Sequence, residues 1–271
     1  MVPEVLSQED LIEKIKGIAD AGWHKSVKST IDTRNDGAVG NTLEVLLGIE
    51  ENNLPIPNAR EWELKGQRKD TNSLLTLKHL EPSPQAVGFV QNILLPLYGW
   101  KHKEAGKKYP SGEMSFRSTT SATQYTSRGF KIVIDRENRK IRFVFDSSKV
   151  DVSKPGISGW LLSVEERVGL GPISPELYWG FDDLNYVFGS KLKNCFYVIA
   201  ARKIVKRHEY FRYERLLILT SFSFEKLLRC FDNGYAFVDF DARTGHNHGT
   251  KFRIRQDKIP VVYENSKRIE L

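Results

Sequence analysis

The segment 57–65, Pro-Asn-Ala-Arg-Glu-Trp-Glu-Leu-Lys, contains the residue types that metal-dependent phosphodiester hydrolysis requires. Carboxylate oxygens bind a hard cation such as Mg²⁺, and the bound cation lowers the pKa of a water molecule and neutralises charge on a phosphate. A nearby lysine can position or activate the attacking water and stabilise the extra negative charge of the transition state. Glu63 and Lys65 are therefore a candidate catalytic pair, and Asn58 precedes them at a turn.

The same segment has the pattern of a β-strand with two unlike faces. Because side chains alternate along a strand, Glu61, Glu63 and Lys65 would share one face, and Trp62 and Leu64 the other. The apolar face could then pack into a core while the charged face lines a cleft. A solvent-exposed amphipathic strand has the same spacing, so the pattern alone leaves both interpretations open.

A second candidate site is the sequence His-Asn-His at 246–248. Two histidines at this spacing could bind a transition metal, but no third or fourth ligand follows at a familiar spacing. The alternative is a polar loop before the last strand. After Gly249, strand alternation places Lys251, Arg253 and Arg255 on one face, with Phe252 and Ile254 on the buried face.

A third candidate is the basic, aromatic stretch 98–109, which includes Lys101, Lys103 and Lys107. It could be a solvated loop held in place by its aromatic residues. It could also contact phosphates through the lysines and stack or wedge its rings against bases. The sequence leaves both possibilities open.

The surrounding sequence predicts helices and hairpins that could position these residues. Ser7 caps a helix that ends at Gly22, and a leucine stripe predicts a second helix from Gly40 to Asn52. Helices followed by hairpins, with further helices inserted, indicate an α+β fold. Strands are predicted at 60–67, 73–80, 130–135, 140–145, 195–205, 210–220, 238–240 and 251–255, and further helices at 182–193 and 223–234.

Composition narrows the class of protein. The chain has 271 residues, of which 40% are hydrophobic, so a folded core is expected and a disordered protein is excluded. No apolar run is long enough to span a membrane, and the first residues lack a signal-peptide pattern. Cys195 and Cys230 have no metal-binding spacing and favour free thiols in the cytoplasm. The net charge of +7 is a weak indication of a nucleic-acid partner.

Several separated segments together resemble one family. The segments are 40–65, 73–77, 178–184 with 191–193, and 245–254. In this order they resemble the MvaI/BcnI family of restriction endonucleases, relatives of the MutH nickase within the PD-(D/E)xK nucleases. The resemblance extends from about residue 8 to residue 255. It implies an α+β fold with a mixed central sheet and two lobes that form a DNA-binding cleft.

The resemblance also implies a catalytic set: Glu44, Asn58, Glu63 and Lys65, with Asn58 and Glu63 as metal ligands. Asn58 departs from the family pattern, which has an aspartate at this position. An amide oxygen can still bind Mg²⁺ but contributes no charge, and Glu61 could compensate. For DNA binding, the resemblance implies that His246, His248 and Arg253 contact bases.

The implied protein is a single domain, 1–271, with a catalytic lobe at 1–150 and a recognition lobe at 151–271. Its expected activity is that of a Mg²⁺-dependent type II restriction endonuclease, which cuts double-stranded DNA at a short C/G-rich site by sequential nicking. The protein is expected to be a monomer in the cytoplasm. A cognate methyltransferase is expected as a genetic partner, and no membrane association is expected. The alternatives are a MutH-like repair nickase and a DNA-binding protein in which Asn58 has impaired catalysis.

Overall fold

The structure, a computed structural model, describes residues 7–28, 37–49, 61–69, 71 and 73–271. Asn58 therefore lies outside the described residues. The α-helices are α1 Gln8–Asp20, α2 Ala38–Leu46, α3 Leu95–Tyr98, α4 Ile157–Val168, α5 Phe181–Leu192 and α6 Phe224–Asp232. The strands are β1 His24–Lys25, β2 Trp62–Arg68, β3 Leu74–His79, β4 Trp100–Lys101, β5 Met114–Thr120, β6 Arg128–Asp135, β7 Lys140–Val150, β8 Leu177–Gly180, β9 Asn194–Val205, β10 His208–Phe222, β11 Ala236–Arg243, β12 His246–Asn247, β13 Lys251–Arg255 and β14 Tyr263–Glu270.

The chain forms two compact units. The first takes its described residues from 1–75, 186–226 and 255–271, and the second consists of 76–185 and 227–254. Each unit combines segments from both halves of the sequence, so the division does not follow the expected boundary at residue 150. The reason is strand pairing, because β2 and the later strand β9 lie side by side in one sheet.

The first unit is built on a mixed sheet with the order β1-β10-β9-β2, and β14 also pairs with β10. The β2–β9 pair is parallel, while the other pairs are antiparallel. The apolar face of β2 packs as the alternation predicts, since the Trp62 ring stacks on Phe196 with centroids 4.4 Å apart. Leu11 and Ile15 of α1 and Leu43 of α2 belong to the same core.

The two helices of this core begin and end for local reasons. At the start of α1, Ser7 and Asp10 form the predicted capping box, in which each side chain accepts from the other's backbone N–H. Helix α2 is shorter than the predicted Gly40–Asn52 helix. It ends at Leu46, and Gly48 follows with φ +70°, a left-handed conformation that stops a helix.

Helix α2 approaches β2 closely at one point. A Cβ atom on Gly66 would lie 2.9 Å from the backbone N of Gly40 and 2.9 Å from Cγ1 of Val39. Only glycine leaves room for this approach. The contact places the start of α2 directly against the strand that carries Glu63 and Lys65.

The second unit contains most of the sheet β3-β13-β11-β5-β4, with β12 on β11, and the sheet β6-β7-β8. The β6–β7 hairpin confirms the predicted pair at 130–135 and 140–145. Phenylalanines fill the interior, with Phe116 contacting both Phe130 and Phe240 at centroid distances of 5.3 and 5.7 Å. Strand β5 and helix α4 are elements that the sequence patterns did not predict.

Candidate active site and recognition surface

The predicted catalytic pair lies on β2 in the first unit. Glu63 is 2% exposed, and its Oε1 atom lies 2.9 Å from Lys65 Nζ. The neighbouring residues Trp62 and Leu64 point into the core. The alternation is therefore confirmed from Trp62 to Lys65, whereas Glu61 precedes the strand. The charged face holds a buried ion pair rather than a row of solvated side chains.

Lys65 is a cation in a nearly buried environment. Burial by itself acts to lower the pKa of Lys65, but the attraction of the Glu63 carboxylate outweighs it and the pKa is raised, with a smaller contribution from Glu44. The ammonium group therefore keeps its proton at neutral pH. In this state it can stabilise negative charge on a phosphate.

Glu44 belongs to the same cluster. It lies on α2, is buried, and is close enough to Lys65 to act on its charge. The structure therefore brings together three of the four predicted catalytic residues, Glu44, Glu63 and Lys65. Asn58 is the fourth and lies outside the described residues. Glu61 is exposed in the turn just before β2 begins.

Lys191 is a further member of the cluster that sequence reasoning did not single out. It lies near the end of α5, is 9% exposed, and places its Nζ atom 3.2 Å from Glu63 Oε2. The only sequence signal was its position in the segment 191–193. No local spacing could connect it with Glu63, because α5 and β2 are far apart in the chain.

Two buried groups that act on Glu63, the Cys195 thiol and the Tyr263 hydroxyl, are uncharged. Cys195 is the direct partner of Glu63 across the β2–β9 pair, and burial raises the pKa of its thiol to about 12, with the Glu63 charge acting in the same direction. Burial also raises the pKa of the Tyr263 hydroxyl well above its usual value. Both groups stay protonated, so the thiol is not a nucleophile and the local charge belongs to the carboxylates and lysines.

The donor chemistry of this cluster fits a hard divalent cation. Glu63 Oε2 is buried and accepts no hydrogen bond from the residues described, so a carboxylate oxygen is available for coordination once Lys191 yields. Glu44 offers further oxygen atoms, which Mg²⁺ prefers. Within the described ranges, no three His, Cys, Asp or Glu side chains form a ready-made metal cluster.

The second predicted site lies in the second unit, at the turn between β11 and β13. His246 lies opposite Arg243 in the β11–β12 pair, and both histidines are exposed. The imidazole rings of His246 and His248 meet edge to face, with centroids 4.2 Å apart. Desolvation lowers the pKa of His248, against the attraction of Asp241, so this imidazole is neutral at pH 7 and offers one donor and one acceptor.

Asn247, between the two histidines, anchors the turn to Glu81. The Glu81 carboxylate accepts from Asn247 Nδ2 at 3.4 Å and from the backbone N and Oγ1 of Thr250 at 2.9 and 3.0 Å. The Asn247 side chain also accepts from Gly249 N at 2.9 Å. The histidines are therefore presented to solvent by a loop whose other side is hydrogen-bonded to the unit.

Arg253 lies on β13, where Phe252 and Ile254 are fully buried as the alternation predicts. Its Nη1 atom donates to Asp239 Oδ2 at 3.1 Å, and 21% of the side chain is exposed. A contact with a base would have to form beside this carboxylate or displace it.

The basic, aromatic stretch 98–109 is anchored by its aromatic residues and exposes its lysines. His102 is buried and meets the Tyr109 ring edge to face at 4.9 Å. Lys101, Lys103 and Lys107 are exposed around this anchor. The aromatic residues hold the segment in place while the three ammonium groups face solvent.

A buried Glu-x-Lys pair on a mixed sheet is the arrangement expected of a PD-(D/E)xK restriction endonuclease. The sequence model of the MvaI/BcnI restriction endonuclease family matches residues 12–263, and the chain belongs to that family. This confirms the resemblance on which the site residues were assigned.

Two solved structures are similar over nearly the whole chain. One is a complex of restriction endonuclease MvaI with its cognate DNA substrate, with a TM-score of 0.73, 25% identity, and coverage of 98% of this chain and 99% of that one. The other is MvaI in the absence of DNA, with a TM-score of 0.51, 26% identity, and coverage of 97% and 98%. A search of curated proteins gave no significant match. The predicted α+β restriction endonuclease fold is thus confirmed. In the described residues, no helix is long and apolar enough to cross a membrane.

Proposed function

We propose that this chain is a Mg²⁺-dependent type II restriction endonuclease that hydrolyses double-stranded DNA at a short C/G-rich site, leaving 5′-phosphate and 3′-hydroxyl ends. The observation that carries the proposal is the buried Glu63 carboxylate, 2.9 Å from Lys65 in a chain of the MvaI/BcnI family. The similarity to MvaI bound to its cognate DNA supports duplex DNA as the substrate.

In this proposal Glu63 and Asn58 would hold the ion, and Glu44 would assist from α2. When bound, Mg²⁺ supplies Lewis-acid chemistry and lowers the pKa of a water molecule. Lys65 keeps its proton and stabilises the charge that develops on the scissile phosphate. Only 16% of the Lys65 side chain is exposed, so water screens its charge less than that of a surface lysine.

Recognition is assigned to the second unit. His246 and His248 face solvent from an anchored loop, and Arg253 lies on the neighbouring strand. Histidine can donate to or accept from a base edge, and arginine forms the commonest specific contact with guanine. Catalysis is assigned to the first unit, which contains Glu44, Glu63 and Lys65.

We further propose that the enzyme acts as a monomer in the cytoplasm. A single Glu-x-Lys centre would cut one strand at a time, so that a double-strand break requires two successive nicks. A cognate methyltransferase, encoded separately, would protect the host's own sites.

Incubation of supercoiled plasmid with the protein and Mg²⁺, followed by mapping of the cut ends, tests the activity. A nicked intermediate that becomes linear, with both breaks at one repeated sequence, is the expected result. Accumulation of nicked circles alone would favour the MutH-like nickase. If the protein binds a specific sequence but leaves the plasmid uncut, it is a DNA-binding protein with impaired catalysis. The sequence observation behind this alternative is Asn58, where the family has an aspartate.

Substitution of the histidines tests the recognition assignment. His246→Ala and His248→Ala should each reduce the difference in binding free energy between cognate and non-cognate DNA by about 1–3 kcal/mol. Competition binding with the mapped site and a scrambled duplex measures this ratio. If both variants discriminate between the two duplexes as well as the parent does, the histidines do not contact bases.

A further inference from the structure

Arg117 lies on the same sheet face as the two histidines. In the β5–β11 pair Arg117 is directly opposite Asp241, and directly opposed residues share a face. Arg243, two residues along β11 and therefore on that face too, is opposite His246. The backbone N–H of His248 donates to the Asp241 carbonyl at 3.0 Å. Arg117 and the histidine loop therefore flank the same residue.

Asp241 forms an ion pair with the Arg117 guanidinium. Its Oδ1 atom is buried and lies 2.9 Å from Arg117 Nε, while Oδ2 lies 3.6 Å from Lys251 Nζ. The ion pair engages the Nε position of the guanidinium, and 45% of the Arg117 side chain is nevertheless exposed. The group is thus restrained on one side and accessible on the other.

Arg243 and Arg253, which lie on the same face, are more fully occupied. Arg243 Nη1 donates to Glu113 Oε1 at 3.0 Å, and its guanidinium lies 4.7 Å from the centre of the Tyr109 ring. Arg253 Nη1 donates to Asp239. Their side chains are 28% and 21% exposed, so Arg117 is the most accessible of the three.

We infer that Arg117, restrained by Asp241 beside His248, is a specificity-determining residue that reads a guanine in the major groove. This rests on the proposed function, which places the histidine loop against bases. Guanine presents the acceptors O6 and N7 side by side, and two N–H groups of one guanidinium match both. An arginine that a carboxylate already restrains loses less conformational entropy when it binds.

The test selects bound duplexes from a randomised library without divalent metal, so that binding is measured apart from cleavage, and sequences them. The full-length parent, Arg117→Ala, Arg117→Lys and the control Arg243→Ala are compared, with thermal unfolding of each. Arg117→Ala should lose its preference for guanine at one position of the selected site by roughly 5- to 150-fold. The other positions should be unchanged, and Arg117→Lys should retain part of the preference because lysine also donates to guanine.

Two results would overturn the inference. One is an unchanged sequence profile in both Arg117 variants. The other is a uniform loss of binding with a reduced salt dependence, which indicates a phosphate contact. A parallel sample with Mg²⁺ separates the two proposals: a parent that selects a sequence but does not cut it contradicts the proposed hydrolysis and leaves the Arg117 inference intact.

Discussion

At the scale of single residues, Glu63 and Lys65 act on the scissile phosphate and should be separable from binding. Glu63→Ala and Lys65→Ala are expected to lower the cleavage rate by about 10²–10³-fold or more, as removal of one stabilising group at a reacting centre does. Binding of duplex DNA should be largely retained. Single-turnover cleavage and metal-free binding assays measure the two properties.

Glu63→Gln is the matched control for folding in that experiment. Both substitutions of Glu63 remove the carboxylate that lies 2.9 Å from the Lys65 ammonium, which is expected to cost stability. Glu63→Gln keeps the shape of the side chain and an oxygen that can accept from Lys65, whereas Glu63→Ala keeps neither. Glu63→Gln should therefore be more stable than Glu63→Ala and still fail to cleave. Loss of binding in step with loss of cleavage would instead indicate a structural role for this strand.

The neutral side chain of Asn58 leads to a prediction about the Mg²⁺ concentration that cleavage requires. A neutral ligand attracts the ion less than a carboxylate does, so the parent should need Mg²⁺ at about millimolar concentration, in keeping with its labile, water-rich coordination. Asn58→Asp should support cleavage at lower Mg²⁺, and Asn58→Ala should reduce cleavage sharply. Titration of each variant with Mg²⁺ provides the comparison. If Asn58→Ala cleaves like the parent, the ion is held by Glu44, Glu61 and Glu63 instead.

At the scale of elements, the close approach of α2 to β2 should control both stability and activity. In Gly66→Ala the new Cβ atom would lie 2.9 Å from the backbone of Gly40, so α2 must shift and carry Glu44 with it. Overpacking of this kind costs about 1–3 kcal/mol. Denaturant unfolding and plasmid cleavage should therefore both report a loss.

Gly17→Ala is the control for that change, because a Cβ atom at Gly17 in α1 meets no other atom within 4 Å. Alanine is a better helix former, so this variant should gain about 0.5–1 kcal/mol and cleave normally. A Gly66→Ala protein as stable and active as the parent would show that the two elements can separate without moving Glu44.

At the scale of the whole molecule, the exposed lysines of the stretch 98–109 should contribute affinity without specificity. Each of the substitutions Lys101→Ala, Lys103→Ala and Lys107→Ala removes one ammonium group that can pair with a phosphate, and should flatten the slope of log K against log salt by about 0.9. Lys149→Ala, another exposed lysine of the same unit, is the control. If all three variants have the same slope as the parent, the stretch is a solvated loop that does not contact phosphates.

Local patterns predicted much of what surrounds the site. The faces of β2 and β13 follow from the two-residue repeat of a strand, and the start of α1 from a capping box within one turn. The strand pattern alone could not predict a catalytic role for Glu63 and Lys65, because a solvated strand has the same pattern. Family resemblance supplied that distinction, and the burial of Glu63 agrees with it.

By itself, the sequence determined the elements and the residue types available for chemistry, because periodicity, capping and turn preferences act over a few residues. Only the tertiary structure decided which distant residues meet. It placed Lys191 against Glu63 and Asp241 beside Arg117, and it assembled each unit from separate chain segments. These contacts arise from strand pairing and helix packing between remote parts of the chain, and no local spacing encodes them.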